Sequence, residues 1–295
     1  MKILVTGANG FIGGRAVGQC IAEGHDVVAV GQGIRLSDCR VIDARFDRIE
    51  WSEVGAAEVL LHFAALNDTS VRDEDAFRRV NVDAAIACME GAVTAGCRRI
   101  VYASSMHVYG NVPSPMSVAV SPTEPMSAYG RSKLQLERAA AALAARHGVA
   151  CIGLRFANVY GPGEAHKDKM ASQVLQLARQ MRSGDPEIFF PGTQARDFIH
   201  VDDAAAAAVA AAQLTKDSPP AILNCGTGRA TTFNALVAML NEALGHSRVP
   251  RYIPEPSGYL RDVVLEVGPT TDLLNWRPRS LTQGIADYQT TGELG

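Results

Sequence analysis

The chain has 295 residues, of which 47% are hydrophobic and 20% are charged, and its formal net charge at pH 7 is -3. This length allows one large domain or two unequal ones, and the apolar fraction excludes a disordered or collagen-like chain. The slightly acidic balance argues against a nucleic-acid or anionic-membrane partner.

The six cysteines are scattered without a Cys-x-x-Cys pair. This spacing is unlike a secreted disulfide framework or a zinc ribbon, and it predicts free thiols in a reducing cytoplasm. The seven histidines show no HxH or HExxH spacing, so no metal site is predicted. The first apolar run is too short for a signal peptide, and no apolar stretch reaches the roughly 18 residues of a membrane span. We therefore expect a cytoplasmic protein.

Short apolar runs rich in β-branched residues alternate with helical stretches in the first half of the chain. The predicted strands cover residues 3–5, 27–30, 59–63 and 100–104, and the predicted helices cover 11–23, 75–96 and 129–146. Because the strand segments are continuously apolar, they predict a parallel sheet buried on both faces. Their alternation with helices predicts a doubly wound α/β fold, in which ligands bind at the carboxyl ends of the strands.

The remaining segments are less regular. Residues 31–57 show no strong helical period and predict a shortened connection between the second and third strands. Residues 111–127 are rich in proline and serine, which predicts a surface loop near the strand ends. Beyond about residue 160 the elements become short, with helices predicted over 170–183 and the alanine-rich run 204–212. We interpret this part as a smaller, discontinuous lobe that covers a cleft.

A glycine turn follows the first strand and opens the first helix. Gly7 permits a tight turn, Gly10 lets the backbone approach a pyrophosphate, and Gly13 lets the helix pack on the sheet. The helix N-terminus adds free N–H groups and a positive dipole. In this strand–turn–helix context the motif predicts a bound dinucleotide, in contact with Gly7, Asn9, Gly10, Phe11, Ile12 and Gly13.

The residues that usually distinguish NAD from NADP binding are compatible here with either cofactor. NAD enzymes usually carry an acid at the end of the second strand, where this chain has Gly31. Arg35 follows closely and would suit a 2′-phosphate, but a solvated loop arginine is an equally good interpretation. Asp43 is a candidate hydrogen-bond partner for the adenine amine, with a surface aspartate as the alternative.

Three residues form a reactive set downstream of the glycine turn. Ser105 ends the fourth strand, and Tyr129 and Lys133 lie four residues apart, so they share one helix face. A lysine ammonium beside a phenol favours the phenolate, which predicts a tyrosine pKa below its ordinary value of about 10. Such a tyrosine can take a proton from an alcohol while hydride leaves the same carbon for a nicotinamide, and Ser105 would hydrogen-bond the same oxygen.

Further segments complete a family resemblance. They are residues 62–65 (His-Phe-Ala-Ala), 81–82 (Asn-Val), 154–163 (Leu-Arg-Phe-Ala-Asn-Val-Tyr-Gly-Pro-Gly), 196–203 (Arg-Asp-Phe-Ile-His-Val-Asp-Asp), 224–228 (Asn-Cys-Gly-Thr-Gly) and 273–278 (Leu-Leu-Asn-Trp-Arg-Pro). Over nearly its whole length the chain resembles the extended short-chain dehydrogenases/reductases of the NAD-dependent sugar epimerase/dehydratase family. The resemblance implies a Rossmann-type NAD(P)-binding domain in residues 1–160 with parts of 190–230, and a substrate-binding lobe in most of 161–295.

The resemblance also implies roles for single residues. Ser105, Tyr129 and Lys133 match the family's catalytic triad. The residues expected at the cofactor include Ala64, Ala65, Asn81, Tyr129 and Lys133, and those expected at the substrate are Ser105, Asn158, Arg196 and Arg261. For Arg196 the alternative is a surface ion pair, but an arginine fork suits a diphosphate. The sequence around Arg261 carries a short deletion relative to the family's pattern.

One position departs from the dehydratases of this branch. They carry an Asp-Glu pair, or a Glu, where this chain has Met106 and His107, so the acid and base of 4,6-dehydration are missing. C4 epimerisation needs no further base, and His107 would then contact the sugar or have a structural role. The epimerase-reductases of similar layout place a cysteine at this position, where His107 would act as a base.

The function favoured by these features is that of a nucleotide-sugar epimerase, similar to UDP-glucose 4-epimerase, which works through a transient ketosugar with NAD(P) bound. One alternative is an NAD(P)H-dependent 4-ketosugar reductase, epimerase-reductase or sugar dehydrogenase, which consumes cofactor. A second is a non-catalytic NAD(P)-binding sensor, against which the complete triad counts. The small residues of helices 75–96 and 129–146 match helices that pair in this family, which implies a homodimer.

Overall fold

The computed structural model describes residues 1–34, 36–68, 71, 73–215 and 219–294. Its strands are β1 (Lys2–Thr6), β2 (Asp26–Val30), β3 (Arg40–Ile42), β4 (Val59–His62), β5 (Arg99–Ser105), β6 (Ala150–Phe156), β7 (Asn158–Tyr160), β8 (Glu187–Phe189), β9 (Ala195–Arg196), β10 (Phe198–His200), β11 (Ile222–Cys225), β12 (Thr231–Thr232), β13 (Arg251–Ile253) and β14 (Asp262–Val263).

Its helices are α1 (Phe11–Ala22), α2 (Trp51–Val54), α3 (Glu74–Arg78), α4 (Ala85–Thr94), α5 (Ala128–His147), α6 (Gln173–Ser183), α7 (Val201–Ala212), α8 (Phe233–Leu244), α9 (Gly268–Leu273) and α10 (Leu281–Thr290). A π-helical segment, Arg79–Ala84, joins α3 to α4, and short 3-10 segments lie at Met106–Val108 and Ala165–Met170.

A seven-stranded parallel sheet forms the centre of the described part of the chain, in the order β11-β6-β5-β4-β1-β2-β3. The pairing places Thr6 opposite His62 and Ser105 opposite Phe156, so the carboxyl ends of these strands share one edge. The winding reverses between β1 and β4, which is where a doubly wound sheet opens a ligand crevice. The predicted fold class is confirmed.

Apolar helices cover both faces of this sheet. On one face α7 packs beside α1, and its alanines, such as Ala204 and Ala208, are small enough to allow a close approach. On the other face α4 and α5 bury residues such as Met89 and Leu136. A third apolar cluster, around α6, α8 and α10, is drawn from residues between Tyr160 and the C-terminus.

The elements predicted in the first half are present, with ends displaced by no more than two residues. The helix predicted over 170–183 begins only at Gln173, after the 3-10 segment, and the alanine-rich helix begins earlier, at Val201. The shortened connection 31–57 is confirmed, because its described residues, 31–34 and 36–57, hold only the one-turn helix α2 and the short strand β3, which the sequence prediction missed.

The prediction for residues 111–127 is wrong in one respect. The segment has no helix or long strand, but it does not lie on the surface throughout. Val112 and Met116 are buried, and Met116 forms a β-bridge with Leu265 of the C-terminal part. The apolar side chains among its prolines hold the segment against the molecule. No helix in the described residues is long and apolar enough to cross a membrane.

Candidate active site

A cavity of about 880 Å³ opens at the carboxyl ends of β1, β4, β5 and β6. One side, which we call the cofactor wall, consists of Gly7, residues 9–13, Phe46, residues 63–65, Asn67, residues 103–107, Tyr129 and Lys133. The other, which we call the lobe wall, consists of residues 156–159, 166, 167, 169–173 and 176. The described lining contains three lysines and two histidines but no carboxylate, so its charge suits anionic ligands.

The glycine turn of the cofactor wall fits a dinucleotide. Gly7 has a positive φ of 70°, and a Cβ atom on Gly13 would lie 2.1 Å from the Gly7 carbonyl oxygen, so both positions require glycine. Gly10 caps α1 without a side chain, which leaves the first N–H groups of the helix free of a side-chain acceptor. A pyrophosphate can bind such a terminus without displacing any protein group.

The residues predicted at the adenosine end lie around the end of β2. Gly31 packs against Asn9, whose amide donates to the Gln32 carbonyl at 2.9 Å. Asp43 accepts a hydrogen bond from the Gly33 N–H at 3.1 Å, so its carboxylate braces the loop that follows β2. Arg35, the candidate for a 2′-phosphate, lies outside the described residues. Neither Gly31 nor Asp43 lines the cavity, and their cofactor contacts stay predictions.

The reactive set comes together as the spacing predicts. Ser105 is at the end of β5, and Tyr129 and Lys133 lie on the first turns of α5, which is capped by Ser127. Lys133 is 2% exposed, and its ammonium donates to the Ala103 carbonyl at 2.8 Å. The ammonium nitrogen lies 5.7 Å from the centroid of the Tyr129 ring. All three residues line the same cavity as the glycine turn.

The predicted direction of the Tyr129 pKa is wrong. Burial raises the pKa of Tyr129 to about 12, and hydrogen bonding with Ser105 lowers it only in part. Lys133 does not contribute to this shift; its ammonium lies 5.7 Å from the centroid of the Tyr129 ring and donates to the Ala103 carbonyl. Burial also lowers the pKa of Lys133 to about 8, while the Glu137 carboxylate acts in the opposite direction.

His107 packs against the reactive set. Its ring meets the Tyr129 ring edge-on, with 5.7 Å between the centroids, and its backbone N–H donates to the Ser105 hydroxyl at 3.2 Å. Burial lowers the pKa of His107, and the positive charge of Arg196 lowers it further. The imidazole is therefore mainly neutral at pH 7.

Asn81 connects the two halves of the cofactor wall. Its side chain accepts from the Leu66 N–H at 2.8 Å and donates to the Leu66 carbonyl at 2.9 Å and to the Ser132 hydroxyl at 3.0 Å. Ser132 in turn donates to the Tyr129 carbonyl. Asn81 lies in the π-helical segment, a form that often occurs at functional sites. It holds the loop after Ala64 and Ala65 against the catalytic helix.

Of the residues Asn158, Arg196 and Arg261 predicted to bind the substrate, the first lines the cavity and the two arginines do not. Asn158 lines the cavity, and its amide donates to the Asp197 carbonyl at 2.8 Å. Arg196 is buried, so the alternative of a surface ion pair is excluded. The Arg196 guanidinium donates to the carbonyls of Leu260 and Arg261 and lies 4.8 Å from the Tyr259 ring centroid. Arg261 is exposed and pairs with Glu255. Neither arginine lines the cavity.

Sequence reasoning missed the most specific feature of the lobe wall. Lys167 places its ammonium 3.4 Å from the centroid of the Phe11 ring, directly over the glycine turn. The loop that carries it is held by the fully buried Glu164, which accepts from the Gly161 N–H, the Ser172 N–H and the Ser172 hydroxyl. The only signal in the sequence is the polar run of residues 163–169 that surrounds it.

Comparisons with known proteins agree with this geometry. The sequence model of the NAD dependent epimerase/dehydratase family matches residues 3–226. An ADP-L-glycero-D-manno-heptose-6-epimerase of Alkalilimnicola ehrlichii is 34% identical over 279 residues, which is 86% of this chain and 84% of that protein. A UDP-glucose 4-epimerase of Mycolicibacterium smegmatis is 31% identical over 310 residues, 97% of this chain and 96% of that protein.

Solved structures show the same fold. MoeE5 in complex with UDP-glucose and NAD superimposes with a TM-score of 0.86 at 34% identity and covers 100% of both chains. A UDP-glucose 4-epimerase of Thermotoga maritima with UDP-glucose has a TM-score of 0.86 at 27% identity, over 99% of both chains. In sequence, fold and site, the chain belongs to the NAD dependent epimerase/dehydratase family and is an enzyme of the extended short-chain dehydrogenase/reductase type.

Proposed function

We propose that the chain is a nucleotide-sugar epimerase, which oxidises a sugar hydroxyl, releases and rebinds the ketosugar within the cavity, and reduces it from the opposite face. The observation that carries this proposal is the placement of Ser105, Tyr129 and Lys133 beside the glycine turn in one cavity. Relatives named as epimerases and a neighbour solved with UDP-glucose and NAD support it. NAD, the cofactor of the family, supplies the hydride acceptor and the returning hydride when it is bound.

The chain's own residues move the proton. The Ser105 hydroxyl and the Tyr129 phenol lie side by side at the end of β5 and can both hydrogen-bond one sugar oxygen. Tyr129 accepts the hydroxyl proton as the carbon is oxidised, and returns it after the ketone has turned. Because burial raises the pKa of Tyr129 to about 12, it needs positive charge to act as a base. Lys133 lines the same cavity, and its ammonium lies 5.7 Å from the centroid of the Tyr129 ring.

The cavity favours epimerisation over dehydration. Dehydration would require a carboxylic acid beside the triad, and the described lining of the cavity contains none. His107 is mainly neutral at pH 7 and packs on Tyr129, as a substrate-contacting or structural side chain would. The alternative is a reductase that uses His107 as a second base, and an experiment must distinguish it from the epimerase.

The test uses the protein saturated with NAD, in D₂O, with UDP-glucose, UDP-glucuronic acid and an ADP-heptose as candidate substrates. We expect one of them to be interconverted with its epimer, detected by NMR, without net formation of reduced nicotinamide and without deuterium entering the sugar. Deuterium beside the carbonyl would indicate proton abstraction from carbon. Net cofactor turnover with a ketosugar would identify a reductase instead.

We further propose the division of the chain into an NAD-binding domain, residues 1–160 with parts of 190–230, and a lobe that binds the nucleotide sugar. The separate apolar cluster around α6, α8 and α10 supports this division. We also propose that the two helices predicted over 75–96 and 129–146 pair with the same helices of a second copy to form a homodimer in the cytoplasm. Light scattering of the purified protein tests the dimer, and a monomer at micromolar concentration would rule it out.

A further inference from the structure

A buried charged pair lies directly behind the reactive set and has no part in the proton transfer described above. Glu137 and Arg155 are 6% and 5% exposed. Two hydrogen bonds join the guanidinium to the carboxylate, from Nε at 2.9 Å and from Nη2 at 2.7 Å. Removing two such charges from water carries a large desolvation cost, and apolar residues of similar volume usually stabilise a core at least as well. The pair therefore calls for a functional explanation.

The position of Glu137 relates it to the catalytic groups in two ways. It follows Lys133 by four residues on α5, so both side chains lie on one helix face. Its carboxylate also accepts a hydrogen bond from the Ser104 hydroxyl at 2.5 Å, and Ser104 immediately precedes Ser105 on β5. Ser104 and Arg155 are opposite each other in the β5–β6 pairing, so both strands present their polar groups to Glu137.

We propose that Glu137 is a positioning residue of the active site, which keeps Lys133 cationic and holds the end of β5 in place through Ser104 and Arg155. The proposal rests on the proposed function, in which Lys133 acts as a cation beside Tyr129. Glu137 touches neither substrate nor cofactor, since it does not line the cavity. Glu137 influences the reaction through the charge of Lys133 and through the position of Ser104 and Ser105, which are consecutive residues of β5.

The electrostatic surroundings of Lys133 agree with this role. The titratable groups that face Lys133 or its neighbours are Tyr129 and Glu137 on α5, His62 on β4, Tyr102 on β5, His107 and Tyr109 on the turn after β5, and Arg155 on β6 behind Glu137. His62 is neutral, because burial lowers its pKa to about 3. Glu137 is thus the carboxylate that opposes the effect of burial on Lys133, whose pKa is already lowered to about 8.

The test measures the titration of Lys133 directly. The chain has five lysines, Lys2, Lys133, Lys167, Lys169 and Lys216, so the side-chain signals of protein labelled with 13C-lysine are few. The Lys133 signal is assigned by its loss in Lys133→Arg. We expect Glu137→Gln to lower the titration midpoint of Lys133 by about one pH unit, and Arg155→Gln, which leaves the carboxylate unneutralised, to raise it.

The control is Asp203→Asn, which removes another buried carboxylate, paired with the half-buried Arg279 away from the cavity. This variant should lower the melting temperature without moving the Lys133 midpoint. A purely structural pair predicts that Glu137→Gln and Arg155→Gln lower the melting temperature and leave the midpoint unchanged. That result would overturn the proposal, as would shifts in the same direction in both variants.

Glu137→Asp keeps the charge and should restore the midpoint toward the wild-type value. If Glu137→Gln does not fold, Arg155→Gln decides alone, and a midpoint that is unchanged or lower would refute the proposal. The measurement needs no substrate, so it is separate from the test of the epimerase. Where the substrate is known, the alkaline limb of the pH profile of kcat/KM should follow the NMR midpoint in each variant.

Discussion

The two walls of the cavity are built in different ways. The cofactor wall uses main-chain groups and glycines of the β1–α1 turn, together with side chains fixed at strand ends and on α5. The lobe wall presents side chains from the 3-10 segment Ala165–Met170, including His166, Lys167 and Lys169. The first kind of wall recognises groups that all dinucleotides share, and the second kind can vary without disturbing the sheet. We therefore expect the chemistry common to the family on the cofactor wall and substrate selectivity on the lobe wall.

The largest expected effect tests whether the chemistry resides on the cofactor wall. Tyr129→Phe removes the group that exchanges the proton, so the turnover rate should fall by about 10²- to 10⁴-fold, while NAD binding stays near the wild-type value. Steady-state kinetics and calorimetric titration with NAD measure the two quantities. The matched control is Tyr102→Phe, a buried tyrosine of β5 that does not line the cavity. Normal turnover in Tyr129→Phe would disprove the proposed mechanism.

A second prediction tests the backbone part of the same wall. In Gly13→Ala the added Cβ would lie 2.1 Å from the Gly7 carbonyl oxygen, so the turn must shift. Overpacking of this kind costs about 1–3 kcal/mol. Because the displaced turn must return to its original shape to bind the pyrophosphate, we expect NAD binding to be about 5- to 150-fold weaker.

Gly18→Ala is the control for that substitution, on the same helix. A Cβ at Gly18 meets nothing within 4 Å, so this variant should bind NAD normally and gain up to about 1 kcal/mol of helix stability. Equal NAD affinity in Gly13→Ala and the wild type would show that the turn does not hold the cofactor.

The same contrast explains what could be predicted from sequence. The glycine turn, the strand ends and the Tyr129–Lys133 spacing are local patterns, and each determines its geometry within a few residues. The Lys167–Phe11 contact and the burial of Arg196 depend on how distant segments pack, so no local pattern shows them. The direction of the Tyr129 pKa was missed for a related reason, since helical spacing indicates a neighbour but not the depth of burial.

The third prediction concerns the lobe wall. Burial lowers the pKa of Lys167 from 10.5 to about 8, so between these pH values the unfolded chain binds more protons than the folded chain. The contribution of this group to stability therefore rises with pH across that window, and below about pH 8 the full cost of burying the ammonium is present. Lys167→Met removes the cost and also the contact with Phe11.

Urea unfolding should show Lys167→Met to be more stable than the wild type at pH 7 by about 1–2 kcal/mol, and this advantage should disappear toward pH 10.5. Binding of NAD or of the nucleotide sugar should weaken severalfold at the same time. The control is Lys169→Met, an exposed lysine of the same loop, for which we expect a change of less than about 0.5 kcal/mol. A pH-independent difference would show that the ammonium of Lys167 is not buried at a cost.

The smallest expected effect is at His107, where the two walls meet. The imidazole is mainly neutral at pH 7 because burial and Arg196 lower its pKa, and its ring packs on Tyr129. His107→Gln keeps a hydrogen-bonding side chain of similar reach, so kcat should fall by less than about tenfold and KM should change only a few-fold. A base that abstracts a proton from carbon would instead contribute about 10²-fold or more. In D₂O we expect both the variant and the wild type to leave the sugar free of deuterium. The contrary result would be a large loss of kcat in the variant together with deuterium exchange that occurs in the wild type and not in the variant. It would assign His107 to catalysis and favour the epimerase-reductase.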